Sequence, residues 1–378
     1  MAVILDRLDV ALGDRAYPIL LVDGPPGATA ADLVRDRVPS ASRALVVTDS
    51  NVGPLYLDGV LGALTAAGLD VSSFEVPAGE ASKRLDTVAA VVDAALSRGL
   101  LRGDVLVALG GGVVGDITGF AAAILHRGVA FVQVPTSLLA QVDSAVGGKT
   151  GVNHAHGKNL IGAFWQPRAV VSSATVLRTL DAREVRCGLA EALKHALIAD
   201  AALLDTVVAQ AAQLRSLEPA ATGALVRACC AIKAAVVAAD ERDHGRRALL
   251  NFGHTFGHAF ELLLGYGALT HGEAVGLGMV LAARLSERLG AASVGVEQSV
   301  VAALDALGLP SDPDADGLPS LDELIDAARG DKKADAGGVR FVVLERVGAA
   351  ALRRLSWAEV ARLLSAPESP RTPEPRSR

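Results

Sequence analysis

Apolar positions along this chain follow two rhythms. In the first half, short unbroken apolar runs stop at polar or glycine turns: ALVVTDSN (44–51), DVLVALGGG (104–112) and VAFVQVP (129–135). Between them lie segments with apolar residues three and four apart. One is LDTVAAVVDAALSRGL (85–100), which closes on Arg-Gly, a favourable helix stop. Short apolar runs separated by amphipathic helices predict a parallel sheet with helical crossovers. From LDAREVRCGLAEALKHALIADAALL onward the spacing is helical almost throughout, including 222–240, 253–265, 271–290 and 295–307. The pattern predicts an α/β domain over residues 1–180 and a mostly α-helical domain over 181–365. LGLPSDPDADGLPS (307–320) reads as a surface loop, and DKK (331–333) as a polar loop before the strand VRFVVLERV. The Pro-rich, charged end, 366–378, reads as a disordered tail.

Composition sharpens this picture. With 51% hydrophobic and 21% charged residues, the 378-residue chain suits two globular domains with sizeable cores. Aromatics are only 3%, so those cores must be built from Ala, Val and Leu. A net charge of −6 argues against nucleic acid as a partner, because phosphate backbones need clustered Lys and Arg. No unbroken apolar run reaches the roughly 18 residues of a membrane span, and the N-terminus shows no cleavable signal pattern. Cys187, Cys229 and Cys230 lack metal-site spacing and read as reduced thiols. A soluble cytoplasmic protein is expected.

Candidate chemistry lies at the ends of these elements. GGGVVG (110–115) fits G-x-G-x-x-G between a strand and a helix, where backbone N–H groups can approach a diphosphate. The acid expected about 20 residues onward is missing. The motif is therefore either a tight turn or a dinucleotide site whose ribose partner comes from another strand end, such as Asp49 or Asn51. GGKT (147–150) is not a nucleotide-binding P-loop, because Asp143 occupies the position of its first glycine. The stretch 134–167 reads as loops in which Lys149, Lys158 and Asn159 either cradle an anion or face water. Glu191, Lys194 and His195 share one helical face, as an exposed ion pair or as part of a site. Lys233 and Arg247 flank the turn DERDHG. His254 and His258 stand at i, i+4, a spacing that by itself pairs them as metal ligands. No glutamate lies between them to act as a metalloprotease base. With Asn251, His271 and Glu273 nearby, this cluster points to a site.

In order, the blocks TDSN, GEASK, GGGVVGD, VPTSLLAQVDSAVGGKTGVN, GKNLIGAFWQP, GLAEALK, NFGHTFGHA, HGEAVGLGM and DKK resemble the 3-dehydroquinate synthase family of sugar phosphate cyclases, over roughly residues 14–350. The resemblance implies an α/β dinucleotide-binding domain, a helical domain, and an active site in the cleft between them. It implies NAD, recycled within each turnover, and one divalent metal, zinc or cobalt. Glu191, His254 and His271 are then the metal ligands, and His258 is catalytic with Lys194, Asn251, Arg247, Lys149 and Asp143. Asp49, Asn51, Glu80, Lys83, Gly112, Val113, Val114, Gly115, Asp116, Thr136, Ser137, Lys149, Lys158 and Thr179 fall to NAD. Arg127, Asn159, Lys233 and Lys332 fall to the substrate, Arg127 by reaching the neighbouring subunit of a homodimer.

The implied substrate is a small anionic sugar phosphate, 3-deoxy-D-arabino-heptulosonate 7-phosphate. It would be oxidised transiently, lose phosphate, be re-reduced and close to 3-dehydroquinate by an aldol step, in the shikimate route to chorismate. Small departures from the commoner family pattern are Ser137, Trp165, His195 and Val176, none of which removes a ligand or a charge. Other cyclases are the nearest alternatives, above all aminodehydroquinate synthase. The inosose and valiolone branches alter the DSAVGGKTGVN and GHTFGHA blocks. An iron-dependent alcohol dehydrogenase would not need the basic set.

Overall fold

A computed structural model describes residues 2–265, 267–331 and 339–366. Its strands are β1 (Val3–Val10), β2 (Tyr17–Asp23), β3 (Arg43–Asp49), β4 (Asp70–Val76), β5 (Val105–Gly110), β6 (Ala130–Pro135), β7 (Lys149–His154), β8 (Gly157–Phe164), β9 (Ala169–Ser173), β10 (Val339–Arg346) and β11 (Ala349–Leu355). The helices of the first half are α1 (Gly27–Arg37), α2 (Gly53–Ala66), α3 (Leu85–Ser97) and α4 (Gly112–Ile124). Those of the second are α5 (Ala182–Ala199), α6 (Ala201–Ala209), α7 (Ala211–Arg215), α8 (Pro219–Ala239), α9 (His254–Leu264), α10 (His271–Arg288), α11 (Val296–Leu307), α12 (Leu321–Asp331) and α13 (Trp357–Ser365).

Seven strands form one sheet in the order β1-β2-β9-β6-β5-β3-β4. Only the edge strand β1 runs antiparallel to its neighbour. Alternate residues of β3 explain why both faces must be covered. Ala44 and Val46 enter a core with α1 and α2, whereas Leu45 and Val47 enter another with α3 and α4. From β3 the chain moves outward to β4, then returns to place β5 on the other side of β3. That reversal makes a topological switch point, and the crevice beyond the carboxyl ends of β3 and β5 is where such sheets bind ligands.

β2 joins the sheet to the helical half. Tyr17, Ile19 and Leu21 share a core with Leu189 and Leu193 of α5 and with Cys229 and Cys230 of α8. The three cysteines are buried and free. By length and mean hydropathy α8 is long and apolar enough to cross a membrane, but it carries Arg227 and Lys233, and its buried face lines this core.

Glycines bring three helices of the second half unusually close. A Cβ on Gly278 of α10 would lie 2.1 Å from the Gly253 carbonyl oxygen at the start of α9, and one on Gly272 would lie 2.5 Å from the Cys187 carbonyl of α5. Both obstacles are backbone, so α5, α9 and α10 approach as they do only because these positions lack side chains.

Two sequence expectations change. The region 134–167 is not a run of loops: residues 140–144 make a π-helical turn and β7 pairs with β8 as an antiparallel hairpin. The glycines there serve strand contact, since a Cβ on Gly162 would lie 2.1 Å from the Thr150 carbonyl oxygen. An additional antiparallel strand, β1, lies where no strand was expected. Lys332 and Lys333 lie outside the described residues, as does the tail beyond Ala366.

Replacing Gly278 with alanine is expected to force α10 away from α9 and destabilise the fold by about 1–3 kcal/mol. A urea midpoint unchanged from the parent would contradict this account of the helix contact.

Candidate active site

α5, α9 and α10 each supply one member of a converging group. Asp181 caps α5 through the Arg183 and Glu184 amides, fixing the helix that carries Glu191. Gly253, at φ +79°, turns the chain into α9 so that His254 is its first residue. A capping box between Thr270 and Glu273 starts α10 at His271. Glu191 Oε1 lies 3.3 Å from His271 Nε2 and 3.5 Å from His254 Nε2. One ligand atom from each residue falls within 4.8 Å of the others.

The donor set fits a divalent cation. Glu191 Oε1, the oxygen that faces both imidazoles, is buried without a hydrogen bond, so its lone pairs are available to an ion. His254 Nδ1 sits 3.1 Å from the Phe252 carbonyl, which assigns the hydrogen to Nδ1 and leaves Nε2 facing Glu191. One carboxylate and two imidazoles leave further coordination positions open, as a catalytic zinc or cobalt site requires.

This geometry corrects the pairing that spacing suggested. His258, one turn after His254, has its ring centroid 5.6 Å from that of His254 and 6.3 Å from that of His271, and its atoms are not in the converging group. Glu273 is not a ligand either; it pairs with Arg183 at 2.7 Å while capping α10.

Burial and charge set the protonation states. Burial pushes His254 down to about 3, against the pull of Glu191. His271 is raised to about 9 despite burial, because the carboxylates of Glu191 and Glu261 face its ring. Burial would raise Glu191, but Lys194 and the two histidines hold it well below the usual carboxylate range.

An alternating string of charges continues from Glu191. Its Oε2 lies 2.5 Å from Lys194 Nζ, which lies 3.9 Å from Asp143; Asp143 in turn meets Lys233 at 2.6 Å and His195 Nε2 at 3.3 Å. Of the two readings open for this face of α5, an exposed ion pair or part of a site, the exposed one falls: the side chains of Glu191, Lys194 and His195 are 1%, 1% and 0% exposed. Burial opposes ionisation of Asp143, but Lys194 and Lys233 keep its carboxylate well below its usual value. Lys233 is lowered by burial, and Asp143 only partly restores it. Arg247, also buried, donates to the carbonyls of Glu241 and Gly147 and lies 5.8 Å from the centre of the Phe164 ring. Lys149 pairs with Asp243, and Asn251 is exposed at the end of the 246–251 turn.

The positions assigned to the dinucleotide gather around the carboxyl ends of the parallel strands. Asp49 accepts from the Asn51 and Val52 amides after β3, and Gly112 to Asp116 form the first turn of α4 after β5. Val114 is fully buried. The Thr136 amide donates to Gly110, Ser137 Oγ accepts from Ala140, and Thr179 Oγ1 lies 2.8 Å from the Tyr56 hydroxyl. Past β4, Glu80 accepts from Asn153, and Lys83 contacts Asp116 at 2.5 Å and Asn159 at 2.6 Å. Asn159, assigned to the substrate, thus lies against the dinucleotide set. Arg127 is exposed, with left-handed backbone at φ 61°, and no hydrogen bond or ion pair joins it to these groups among the described residues.

The sequence reading missed Glu261. It lies seven residues after His254, two turns along the same face of α9, and that spacing is the signal that could have found it. Its Oε1 accepts from Lys158 Nζ at 2.8 Å and lies 3.5 Å from His271 Nδ1.

A Glu-His-His group fit for a divalent cation, in a chain whose parallel sheet carries a glycine turn at a strand end, defines a metal- and nucleotide-binding class of enzyme, and the comparisons narrow it to the sugar phosphate cyclases. The family described as 3-dehydroquinate synthase N-terminal matches residues 73–187, and that described as 3-dehydroquinate synthase C-terminal matches 188–334. The chain belongs to the 3-dehydroquinate synthase family. Among solved structures it is similar to 2-deoxy-scyllo-inosose synthase complexed with carbaglucose-6-phosphate, NAD+ and Co2+. That likeness has a TM-score of 0.85 at 24% identity, covering 95% of this chain and 99% of the other. A 2-epi-5-epi-valiolone synthase from Streptomyces hygroscopicus subsp. jinggangensis, with NAD+ and Zn2+ bound, matches at TM-score 0.82 and 28% identity, covering 92% and 95%. A probable glycerol dehydrogenase from Sinorhizobium meliloti shares the fold at TM-score 0.62 and 17% identity, covering 92% and 94%.

Glu261 yields a pH prediction. Burial would raise its pKa, but His271 and Lys158 lower it from 4.5 to about 2. A depressed folded pKa contributes stability that is present above about pH 4.5 and lost as pH falls towards 2. The stability advantage of the parent over Glu261→Gln should therefore shrink by roughly 3 kcal/mol across that window in urea titrations. A difference that stayed constant with pH would contradict the assigned ion pairs.

Proposed function

We propose that the chain is a 3-dehydroquinate synthase, converting 3-deoxy-D-arabino-heptulosonate 7-phosphate into 3-dehydroquinate and phosphate. The observation that carries this reading is the buried string Lys233–Asp143–Lys194–Glu191 ending at His254 and His271. A dehydrogenase acting on a neutral alcohol has no use for so many buried cations. A substrate with a carboxylate at one end and a phosphate at the other does.

Residues 1–180 form the NAD-binding domain in this reading, and 181–365 the metal- and substrate-binding domain. Glu191, His254 and His271 hold the divalent cation, and the strand-end residues from Asp49 to Thr179 hold NAD. Cyclases of similar fold are solved with NAD+ and with Co2+ or Zn2+. When bound, the dinucleotide supplies reversible hydride acceptance and the cation supplies polarisation of substrate oxygens.

The chain's own groups do the rest. Lys194, Lys233, Arg247 and Lys149 bind the anionic ends, with Asp143 holding the first two lysines in place. Asn159 and Asn251 orient hydroxyls. His258, partly exposed on the same helix as His254, moves protons between substrate and solvent. In a cytoplasmic homodimer, Arg127 extends to the neighbouring subunit's site, and Lys332 completes the substrate contacts.

The competing reading is another sugar phosphate cyclase, such as aminodehydroquinate synthase. The 28% identity to a valiolone synthase keeps that class in view, since the same charges suit related sugar phosphates.

Incubating the zinc- or cobalt-loaded protein with NAD and the heptulosonate phosphate should release phosphate and dehydroquinate together, with no net NADH. NADH without phosphate would contradict the cyclase. Phosphate released only from the amino analogue or another sugar phosphate would move the assignment within the class. His258→Asn should lower kcat by roughly a hundredfold or more while the cation is retained; loss of the cation instead would make His258 a ligand.

A further inference from the structure

Glu261 stands where the two halves of the site meet. Its side chain is 5% exposed, Oε1 faces both Lys158 Nζ and His271 Nδ1, and Oε2 is buried without a hydrogen-bond partner. Lys158 belongs to β8, in the hairpin that packs against α4. The next residue, Asn159, accepts from Lys83, and Lys83 pairs with Asp116 in the first turn of α4. A line of polar contacts, with one step along the β8 backbone, therefore runs from a ligand of the triad to the glycine turn: His271, Glu261, Lys158, Asn159, Lys83, Asp116.

We propose that Glu261 couples the two sites, so that a cation on the triad tightens dinucleotide binding and the dinucleotide tightens cation binding by the same factor. The proposal rests on the assignment of the triad to a cation and of the switch-point crevice to NAD. Coordination through Nε2 pins the His271 ring, and Glu261 is the carboxylate placed to receive Nδ1–H. A carboxylate fixed in this way holds Lys158 and the hairpin behind it in one arrangement. The dinucleotide then meets lysines already ordered and loses less conformational freedom on binding. Linkage makes the effect reciprocal.

The test is calorimetric titration of NAD into the full chain, first stripped of metal and then reloaded with Zn2+. Loading should lower the dissociation constant for NAD about fivefold or more in the parent protein. In Glu261→Gln that ratio should fall to roughly one while one zinc per chain still binds. The Co2+-substituted variant should also show shifted visible bands, because His271 loses the acceptor that sets its basicity. A ratio of one in the parent, or an undiminished ratio in the variant, would overturn the proposal. If Glu261→Gln does not fold, Lys158→Met replaces it: loss of the ratio supports the coupling, and retention overturns it. A parent that binds zinc and NAD without coupling sinks this inference alone, whereas one that binds neither sinks the assignment beneath it as well.

Discussion

A carboxylate charge at 1% exposure is the constraint on which the rest of this site depends. Burying Glu191 alone would cost several kcal/mol, and the protein offsets that cost with its neighbours. Lys194 neutralises one oxygen, and two imidazoles face the other. Those imidazoles converge only because Gly272 and Gly278 let α10 lie against α5 and α9 at backbone contact. Helix starts finish the construction, since His254 and His271 are each the first residue of a helix whose entry is fixed by a left-handed glycine or a capping box.

The same electrostatic logic spreads outward. Lys194 would be costly beside one carboxylate in so dry a place, so Asp143 shares it, and Lys233 in turn shares Asp143. Each lysine at the edge of the crevice likewise meets a carboxylate: Lys83 meets Asp116, Lys149 meets Asp243 and Lys158 meets Glu261. The result is a site of high charge density inside a chain of modest net charge, with each of these lysines held in place by a carboxylate.

Much of this was legible beforehand. Strand ends at 49, 110 and 135, and the helices over 219–239, 254–264, 271–288 and 296–307, follow from apolar periodicity that packing then exploits on both faces of the sheet. The glycine turn fell at the switch point because only a strand-to-helix junction places it there. What escaped was information carried by three dimensions. Spacing on one helix favoured His254 with His258, but the ligand atom that completes the triad comes from another helix thirteen residues beyond His258. Local pattern could not decide whether the charges of α5 were an exposed ion pair or part of a site, because it is α8 and α10 that bury them. The hairpin at 149–164 was hidden because its glycines, which allow its strands to touch, read as loop. Glu261 was overlooked because one glutamate on a helix carries no signal until Lys158 arrives from the other half of the chain.

The most direct test is the coordination of the cation itself. Dialysed against Co2+ and examined by X-ray absorption, the chain should hold one ion with two imidazole nitrogens and a carboxylate oxygen among its ligands, and Glu191→Gln or His271→Ala should release it. A protein that retains no cation, or one whose ion survives both substitutions unchanged, would contradict the site described.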